Sequence, residues 1–570
     1  MSRRLSALRV GNFKAFAGTQ RIPLKPITLV FGPNSAGKSS FIHSLALAHE
    51  AQFGREKRGR SRLDVHHTDI GGSAVDLGGF RQFVHRGQLR NGVEWGAELR
   101  LSELGNDASH KQLAQILSTV DTITVNVSLG IELDIMDAPM PNAEPRVEAV
   151  EILADDEELL RMSRRRGIEG LGDFLRLDRL EIQHPVFLQV LKAIIEVHTT
   201  STEMKAEDLD GALQAIDELL PELQIKVDRF LPSGVELPKA ESSDSPTQPM
   251  LFAISKGNRQ DDIAQAVRFV LPRTLNDLIK GLSDVLSDEL KQLQYLGPLR
   301  SFPARHLAFS ETEDSNWYAG GGYAWDVVRR NSDVRKAVNN WLGSGKLRTP
   351  YELRIKELVN FERVRDIQLE ASDSWEYDGS DDENKLPEEA IKDSFQIYSD
   401  LLVDNAILDG RIDAVNELVL MDMRTKTSVT HRDVGIGISQ VLPVLVMAYA
   451  SEGKLLAMEQ PEIHLHPALQ AELGDVFIKS ALGERKNTFI LETHSEHLIL
   501  RLMRRMRETY QGKETGLPPI TPDDISVLYV EPDGARSIAR EMPLNELGEL
   551  VKSWPGGFFE EGLREQIGDA

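Results

Sequence analysis

The sequence predicts an α/β fold whose parallel strands end at a common edge. Three stretches carry that expectation. The apolar run Ile27 to Phe31 leads into GPNSAGKSS, after which Phe41, Leu45 and Ala48 recur at helical spacing. The run Leu455 to Met458 ends in an acid, Glu459. A third β-prone run, Phe489 to Leu491, is followed by Glu-Thr-His. Neighbouring parallel strands bring the residues at their carboxyl ends together, and chemistry on a bound ligand is expected there.

The first stretch supplies strand, Gly-rich loop and helix in the order a phosphate cradle requires. Its G-x-x-x-x-G-K-S pattern runs from Gly32 through Pro33, Asn34, Ser35, Ala36, Gly37 and Lys38 to Ser39, with Ser40 directly behind. Gly32 and Gly37 let the backbone curl so that successive N–H groups face phosphate oxygens. The helix N-terminus adds partial positive charge. Lys38 can reach the β- and γ-phosphates and Ser39 can ligate Mg2+. ATP with Mg2+ is therefore the expected ligand pair. The upstream stretch LRVGNFKAF reads as a first strand beside the nucleotide. Lys14 within it is either a phosphate or base contact or a surface lysine.

The second stretch raises a chemical question. Glu459 is placed to hold magnesium through its water shell. In an ATP-hydrolysing machine the next residue is often a second carboxylate that activates the attacking water. Here it is Gln460, and an amide cannot take a proton. Glu462 would stand in only if the turn at Pro461 bends it back. Upstream, DVGIGISQVLPVLVMAYA offers Gly435, Gly437, Ser439 and Gln440 just before an apolar helical run, a second set of N–H and hydroxyl donors for a γ-phosphate. His494, just past the third strand, could bond the same phosphate.

These motifs carry a resemblance. GPNSAGKS, GIGISQ, LLAMEQPEIHLHP and ETHSEH resemble the Walker A, signature, Walker B and switch segments of ABC-class ATPases of the SMC, Rad50 and OLD type. YLGPLRSFPARH, NNWL, DVGIGISQVLP, EQPEIHLHP, ETHSEHLILRLMRR and WPGGFFEE resemble a bacterial subgroup of stand-alone AAA-type ATPases of phage-defence systems, similar to the Septu and retron-associated ATPases. The resemblance covers roughly residues 1–100 and 290–570 and is carried by the nucleotide motifs. It implies an ABC-type P-loop NTPase head with a mixed, partly helical insertion lobe. The expected division is 1–100 for the first part of the head, 101–290 for the insertion and 291–570 for the rest of the head. It also implies that two heads sandwich two nucleotides as a homodimer or higher oligomer. Gly437, Ser439 and Gln440 would then act in trans on ATP held by Lys38 and Ser39, with Glu459 on magnesium and His494 sensing the γ-phosphate. Gln82, in DLGGFRQFVHRG, is the candidate glutamine linking magnesium to water, with His85 and Arg86 competing for the same neighbourhood. The implied partner is an effector such as an HNH-type nuclease, gated by ATP. The alternative is a RecF- or Rad50-like ATPase acting directly on DNA.

Composition bounds these readings. Lys plus Arg number 66 against 89 for Asp plus Glu, a net charge of −23, which disfavours general polyanion binding. Two basic runs, REKRGRSR and RMSRRRG, keep nucleic acid open as a partner, although a solvated face is the plainer reading. There are no cysteines, which removes disulfides, thiolate zinc sites and a zinc hook. No stretch approaches the roughly 18 apolar residues of a membrane span, and no signal-peptide core opens the chain, so a cytoplasmic protein without membrane contact is expected.

Between the motif-bearing parts, VNVSLGIELDIM alternates as a strand, while PVFLQVLKAIIEVH and DLDGALQAIDELLPELQIKV show helical spacing. PSGVELPKAESSDSPTQP and SDSWEYDGSDDENKLPEE read as exposed loops. After His494, EHLILRLMRRM predicts a basic amphipathic helix and ISVLYVEPDGARSIARE a strand pair. That remainder is short for the Toprim nuclease domain of larger OLD-type relatives. The arginines of the helix are expected to pair with acids of the chain. HLHP is expected at a subunit interface, not at a metal.

Overall fold

The structure, a computed structural model, describes residues 4–54, 69–70, 75–106, 110–140, 143–164, 174–198, 206–236, 259–300, 319–343, 346, 348–375, 388–412, 414–429 and 436–555. The chain divides into two compact units. One comprises Met1–Arg300, Ser315–Gly320 and Met447–Ala570, and the other comprises Ser301–Asp314 and Gly321–Val446.

The first unit is built on two sheets. In the smaller, the strands Leu293–Leu296, Leu455–Glu459, Thr488–Glu492, Ile27–Phe31 and Ile525–Asp533 run parallel in that spatial order. Arg536–Glu541 closes one edge as the antiparallel arm of a hairpin. Every residue of the three strands Ile27–Phe31, Leu455–Glu459 and Thr488–Glu492 is buried. A parallel sheet covered on both faces demands such continuous apolar runs. The three strands predicted from sequence are therefore neighbours, with the switch strand Thr488–Glu492 between the phosphate-loop strand and the acid strand.

The larger sheet is an antiparallel meander. Its nine strands run from Pro232–Glu236 through Gln224–Val227, Phe174–Leu180, Glu157–Ser163, Arg146–Ala154, Thr122–Gly130, Val93–Arg100 and Leu5–Gly11 to Gln20–Pro23. This corrects the expected boundary at residue 100. The strand Val93–Arg100 pairs with Leu5–Gly11 on one side and Thr122–Gly130 on the other, so no break falls there. The segment 101–290 extends a sheet begun at residue 5 and is not a separate lobe, and the second unit begins only after Arg300.

Two local expectations also shift. The strand foreseen at Val125 to Met136 spans Thr122–Gly130, and Ile135 and Met136 are exposed. The helix foreseen through Val227 ends at Leu219, and Gln224–Val227 turns into a strand. Pro221 explains the stop, since it lacks the N–H a helix interior needs and clashes with the preceding turn. The helices Pro185–His198 and Glu496–Tyr510 form as expected. A 33-residue helix, Arg259–Lys291, leads from the meander region towards the edge strand Leu293–Leu296.

The second unit holds an antiparallel sheet of Tyr351–Val359, Ala414–Asp422 and Thr427–Val429. With it are the helices Gly322–Arg330, Ser332–Leu342, Phe361–Ser374 and Glu388–Leu408. Asn331 caps the second helix through the N–H groups of Asp333 and Val334. Within the NNWL motif, Asn339 donates to the Leu353 carbonyl at 2.9 Å and accepts its N–H at 2.8 Å. That motif residue thus pins a helix to a strand. REKRGRSR, the end of RMSRRRG, most of both loop segments, residues 301–306 of YLGPLRSFPARH, Asp433 to Gly435 and the end of WPGGFFEE lie outside the described residues. Among the described residues, no helix is long and apolar enough to cross a membrane.

Candidate functional site

The phosphate loop joins the strand Ile27–Phe31 to the helix Ser39–Phe53. Its curl rests on three positive φ angles, at Gly32 (145°), Ser35 (62°) and Gly37 (93°). A Cβ at Gly32 would lie 2.1 Å from the Val530 carbonyl oxygen, and one at Gly37 would lie 2.4 Å from the Ala15 Cβ. Both positions require glycine for space as well as for conformation. Ala36 and Ser40 are buried, whereas Asn34 and Ser35 are exposed on the loop. Pro33 offers its carbonyl to the buried Lys38 ammonium at 2.9 Å. Burial pushes the Lys38 amine down from its ordinary range, against the upward pull of Glu492 and Glu462.

The acids come next. Parallel pairing sets Glu459 directly beside Glu492, and Glu492 beside Val30 of the phosphate-loop strand. Paired residues on adjacent strands are about 4.8 Å apart and point to the same face. Glu459 is buried and its Oε1 accepts from Tyr295 Oη at 2.8 Å and His43 Nε2 at 2.9 Å. Burial alone would raise the Glu459 carboxyl, but bonds from His43 and Tyr295, with Lys14 nearby, outweigh it and hold it low. The Lys14 amine bonds His43 Nδ1, so the imidazole carries its proton on Nε2, towards the carboxylate. Burial pushes Lys14 down to about 8 despite the pull of Glu459 and Glu492. Lys14 is therefore not an ordinary surface lysine. It ends a polar chain that runs through His43 and Glu459 to Tyr295.

Gln460 follows with a left-handed φ of 45°. Its N–H donates to the Glu492 carbonyl at 2.8 Å. The buried Arg300 guanidinium donates to the carbonyls of both Glu459 and Gln460 at 3.0 Å. This turn bends Glu462 back, and its buried carboxylate accepts the His494 N–H at 2.8 Å. Burial pushes the Glu462 carboxyl up. Burial also pushes the Glu492 carboxyl up, to about 7, with Glu459 adding repulsion, against the opposing influence of the Ser39 hydroxyl and the Lys38 charge. His494 is pushed down by burial and by Lys38, which favours a neutral imidazole. Ser495 then caps the helix Glu496–Tyr510 through the Leu498 N–H at 3.0 Å.

The structure thus gathers Lys38, Ser39, Glu459, Gln460 and His494 around the ends of three adjacent strands. The side-chain oxygen of Gln82 accepts the Gly79 N–H at 2.8 Å and caps the short helix Phe80–Phe83. That segment lies beside Lys14, whose N–H donates to the Phe83 carbonyl. His85 bonds the Lys14 carbonyl at 2.8 Å. Gly437, Ser439 and Gln440 open the helix Ile436–Ala450 in the part assigned to the second unit, with Ser439 and Gln440 buried. His464 is exposed, and His466 caps the helix Pro467–Leu482, so HLHP makes no metal cluster. In the basic helix, Arg505 pairs with Asp475 at 2.7 Å, Arg501 with Glu472 and Arg504 with Glu508.

Sequence reasoning missed Glu492, His43, Tyr295 and Arg300 as parts of the site. His43 carried a signal, since it stands four residues after Ser39 on the same helix face. Tyr295 and Arg300 stand in the motif YLGPLRSFPARH, but its link to Glu459 was not readable, because they reach it only through the pairing of strands distant in sequence.

The donor set fits a magnesium nucleotide. A lysine and a helix N-terminus face the region where a polyphosphate would sit. Ser39 and Glu459 supply the hard oxygens such a cation prefers. The buried atoms Glu492 Oε2 and His494 Nε2 have no hydrogen-bond partner among the described residues, and a bound cation and phosphate would satisfy them. Among the described residues no group of three or more His, Asp or Glu side chains could hold a metal unaided.

Comparison with known families agrees with this geometry. Residues 7–224 match a model described as an AAA domain. Residues 281–501 match one described as an AAA domain, putative AbiEii toxin, Type IV TA system. Residues 520–565 match a family described as a protein of unknown function (DUF3696). No curated protein matched. Among solved structures, the chain is similar to an SMC head bound to the C-winged helix domain of ScpA, at 10% identity and a TM-score of 0.34, covering 95% of this chain and 98% of that one. It is also similar to an SMC head with an extended coiled coil bound to the C-terminal domain of ScpA from Pyrococcus furiosus, at 10% identity and a TM-score of 0.34, covering 95% and 96%. A third is the SMC head domain from Thermotoga maritima, at 8% identity and a TM-score of 0.31, covering 95% and 100%. The parallel sheet, the glycine-dependent phosphate loop and the AAA-domain matches make the fold an α/β P-loop NTPase.

Proposed function

We propose that the protein is an ATP-operated switch that binds Mg·ATP tightly and hydrolyses it slowly. One observation carries the reading. The position after the strand-end acid holds Gln460, whose backbone is fixed to Glu492 and Arg300. A nucleotide in the cradle would meet Lys38 and the helix N-terminus at its phosphates. Ser39 and Glu459 would hold its cation, and the neutral His494 would bond its terminal phosphate. Magnesium supplies neutralisation of phosphate charge. What this chain lacks is a carboxylate at residue 460 to take the proton of the attacking water, a help worth about 10²–10⁴ in rate.

Gly437, Ser439 and Gln440 act, in this proposal, on the nucleotide of a second copy, so ATP holds two heads together. The gated partner is an effector such as a nuclease in a bacterial defence system. The family description naming a toxin of a toxin–antitoxin system supports that direction. The test is phosphate release at saturating Mg·ATP for wild type, Lys38→Ala and Gln460→Glu, beside binding of a non-hydrolysable ATP analogue. Tight binding, wild-type turnover near the Lys38→Ala background and a rise in Gln460→Glu are expected. Brisk wild-type turnover that Gln460→Glu leaves alone moves the base to another residue and ends the switch reading. Turnover stimulated by DNA favours the alternative DNA-acting ATPase.

A further inference from the structure

The acid at the end of the switch strand has no assigned task. Glu492 is 5% exposed, and its strand register sets it level with Glu459. Its carboxyl feels two elements of the phosphate cradle, the Ser39 hydroxyl and the charge of Lys38, both of which favour its ionised form. Its Oε2 is buried with no protein donor. The main chain fixes it from both sides, through the Gln460 N–H on its carbonyl and pairing with Val30. Two buried carboxylates side by side repel each other, and leaving one oxygen without a donor adds to that cost. Packing does not call for an acid there, since a buried strand end in a parallel sheet covered on both faces favours an apolar residue.

Glu459 has its own constraint. Both protein donors, Tyr295 and His43, fall on its Oε1, so only Oε2 remains for anything else. Ser39, Glu459 and Glu492 together offer one hydroxyl and two carboxylates at the mouth of the cradle. That is a charge and donor set suited to a divalent cation and poorly suited to bare phosphate.

Building on the reading of the cradle as a Mg·ATP site, we propose that Glu492 is a second carboxylate for the nucleotide's cation, direct or through one water, beside Ser39 and Glu459. The chain thus replaces the acid absent at residue 460 with one on the neighbouring strand. The replacement serves metal retention. Two carboxylates on one hard cation slow its loss, and with it the loss of the nucleotide.

The experiment is Mn2+ binding, followed by electron paramagnetic resonance, to the full chain saturated with AMPPNP, for wild type, Glu492→Gln and Glu459→Gln. Metal-free AMPPNP affinity is measured in parallel in EDTA. Glu492→Gln should weaken Mn2+ binding at least tenfold, while metal-free AMPPNP affinity holds or improves, because a negative charge beside the phosphates is gone. A change in Mn2+ affinity under twofold overturns the assignment and leaves Glu492 a structural residue. Should Glu492→Gln not fold, Glu492→Asp keeps the charge on a shorter arm and should still weaken Mn2+ several-fold. A wild type that binds no AMPPNP with or without Mn2+ refutes the nucleotide reading itself. Binding that Glu492→Gln leaves unchanged refutes only this inference.

Discussion

Replacing Tyr295 with phenylalanine removes one oxygen and little else. The Tyr295 hydroxyl donates at 2.8 Å to the buried carboxylate of Glu459, the residue expected to hold the cation. A hydrogen bond to a charged group contributes roughly 1.5–3 kcal/mol, and the phenyl ring preserves the packing. Losing that bond raises the Glu459 carboxyl pKa, because the donor favours the charged form. His43 remains on the same oxygen, which keeps the loss from being larger. In a cooperative unit of this size each kcal/mol moves Tm by about 2 °C or less, so a fall of roughly 3–4 °C is expected in EDTA at pH 8. The pH dependence gives a second check. Glu459 lies below its ordinary range when folded, so its contribution is present above that range and is lost as pH falls through the folded value. The Tyr295→Phe deficit should therefore be full at pH 8 and shrink towards about pH 4. An unchanged Tm at pH 8, or a deficit that grows on acidification, refutes the claim that Tyr295 stabilises a charged Glu459.

Four other outcomes follow from the same geometry. Gly32→Ala places a Cβ 2.1 Å from the Val530 carbonyl at a φ of 145°, so it should displace the loop and weaken nucleotide binding at least tenfold in equilibrium titration. Arg300→Met leaves two carbonyls without their donor, at roughly 1–3 kcal/mol each, and should lower Tm more than Tyr295→Phe does. Lys14 is pushed down to about 8 from 10.5, so its charged form opposes folding near neutrality and that opposition fades as pH rises through this window. The stability of Lys14→Met relative to wild type should accordingly fall between about pH 7 and pH 10, read from Tm across that range. Ser495→Ala removes the cap on the helix Glu496–Tyr510 and should cost about 1 kcal/mol in urea unfolding.

The strand–loop–helix of the cradle, the acid strand and the switch strand were all readable before any coordinates, because each is a local pattern. An apolar run of three to five residues followed by glycine, an acid or Glu-Thr-His needs no distant partner to be recognised. Gln460 was visible as an amide, and the pairing of Arg501, Arg504 and Arg505 with acids was foreseen from the charge balance. Tertiary structure alone decided which strands lie side by side. Parallel pairing joins segments hundreds of residues apart, and the pattern within one strand does not state its neighbour or its register. For that reason Glu492 emerged beside Glu459 only in the fold, as did the donors Tyr295 and Arg300 from the region of the edge strand. The same cause hid the meander's continuity across residue 100, where alternating strands gave no sign of which sheet they extend. Gln82 shows the same division. Its residue type was readable in the sequence, whereas the hydrogen bond by which its side-chain oxygen caps the short helix Phe80–Phe83 was supplied by the fold.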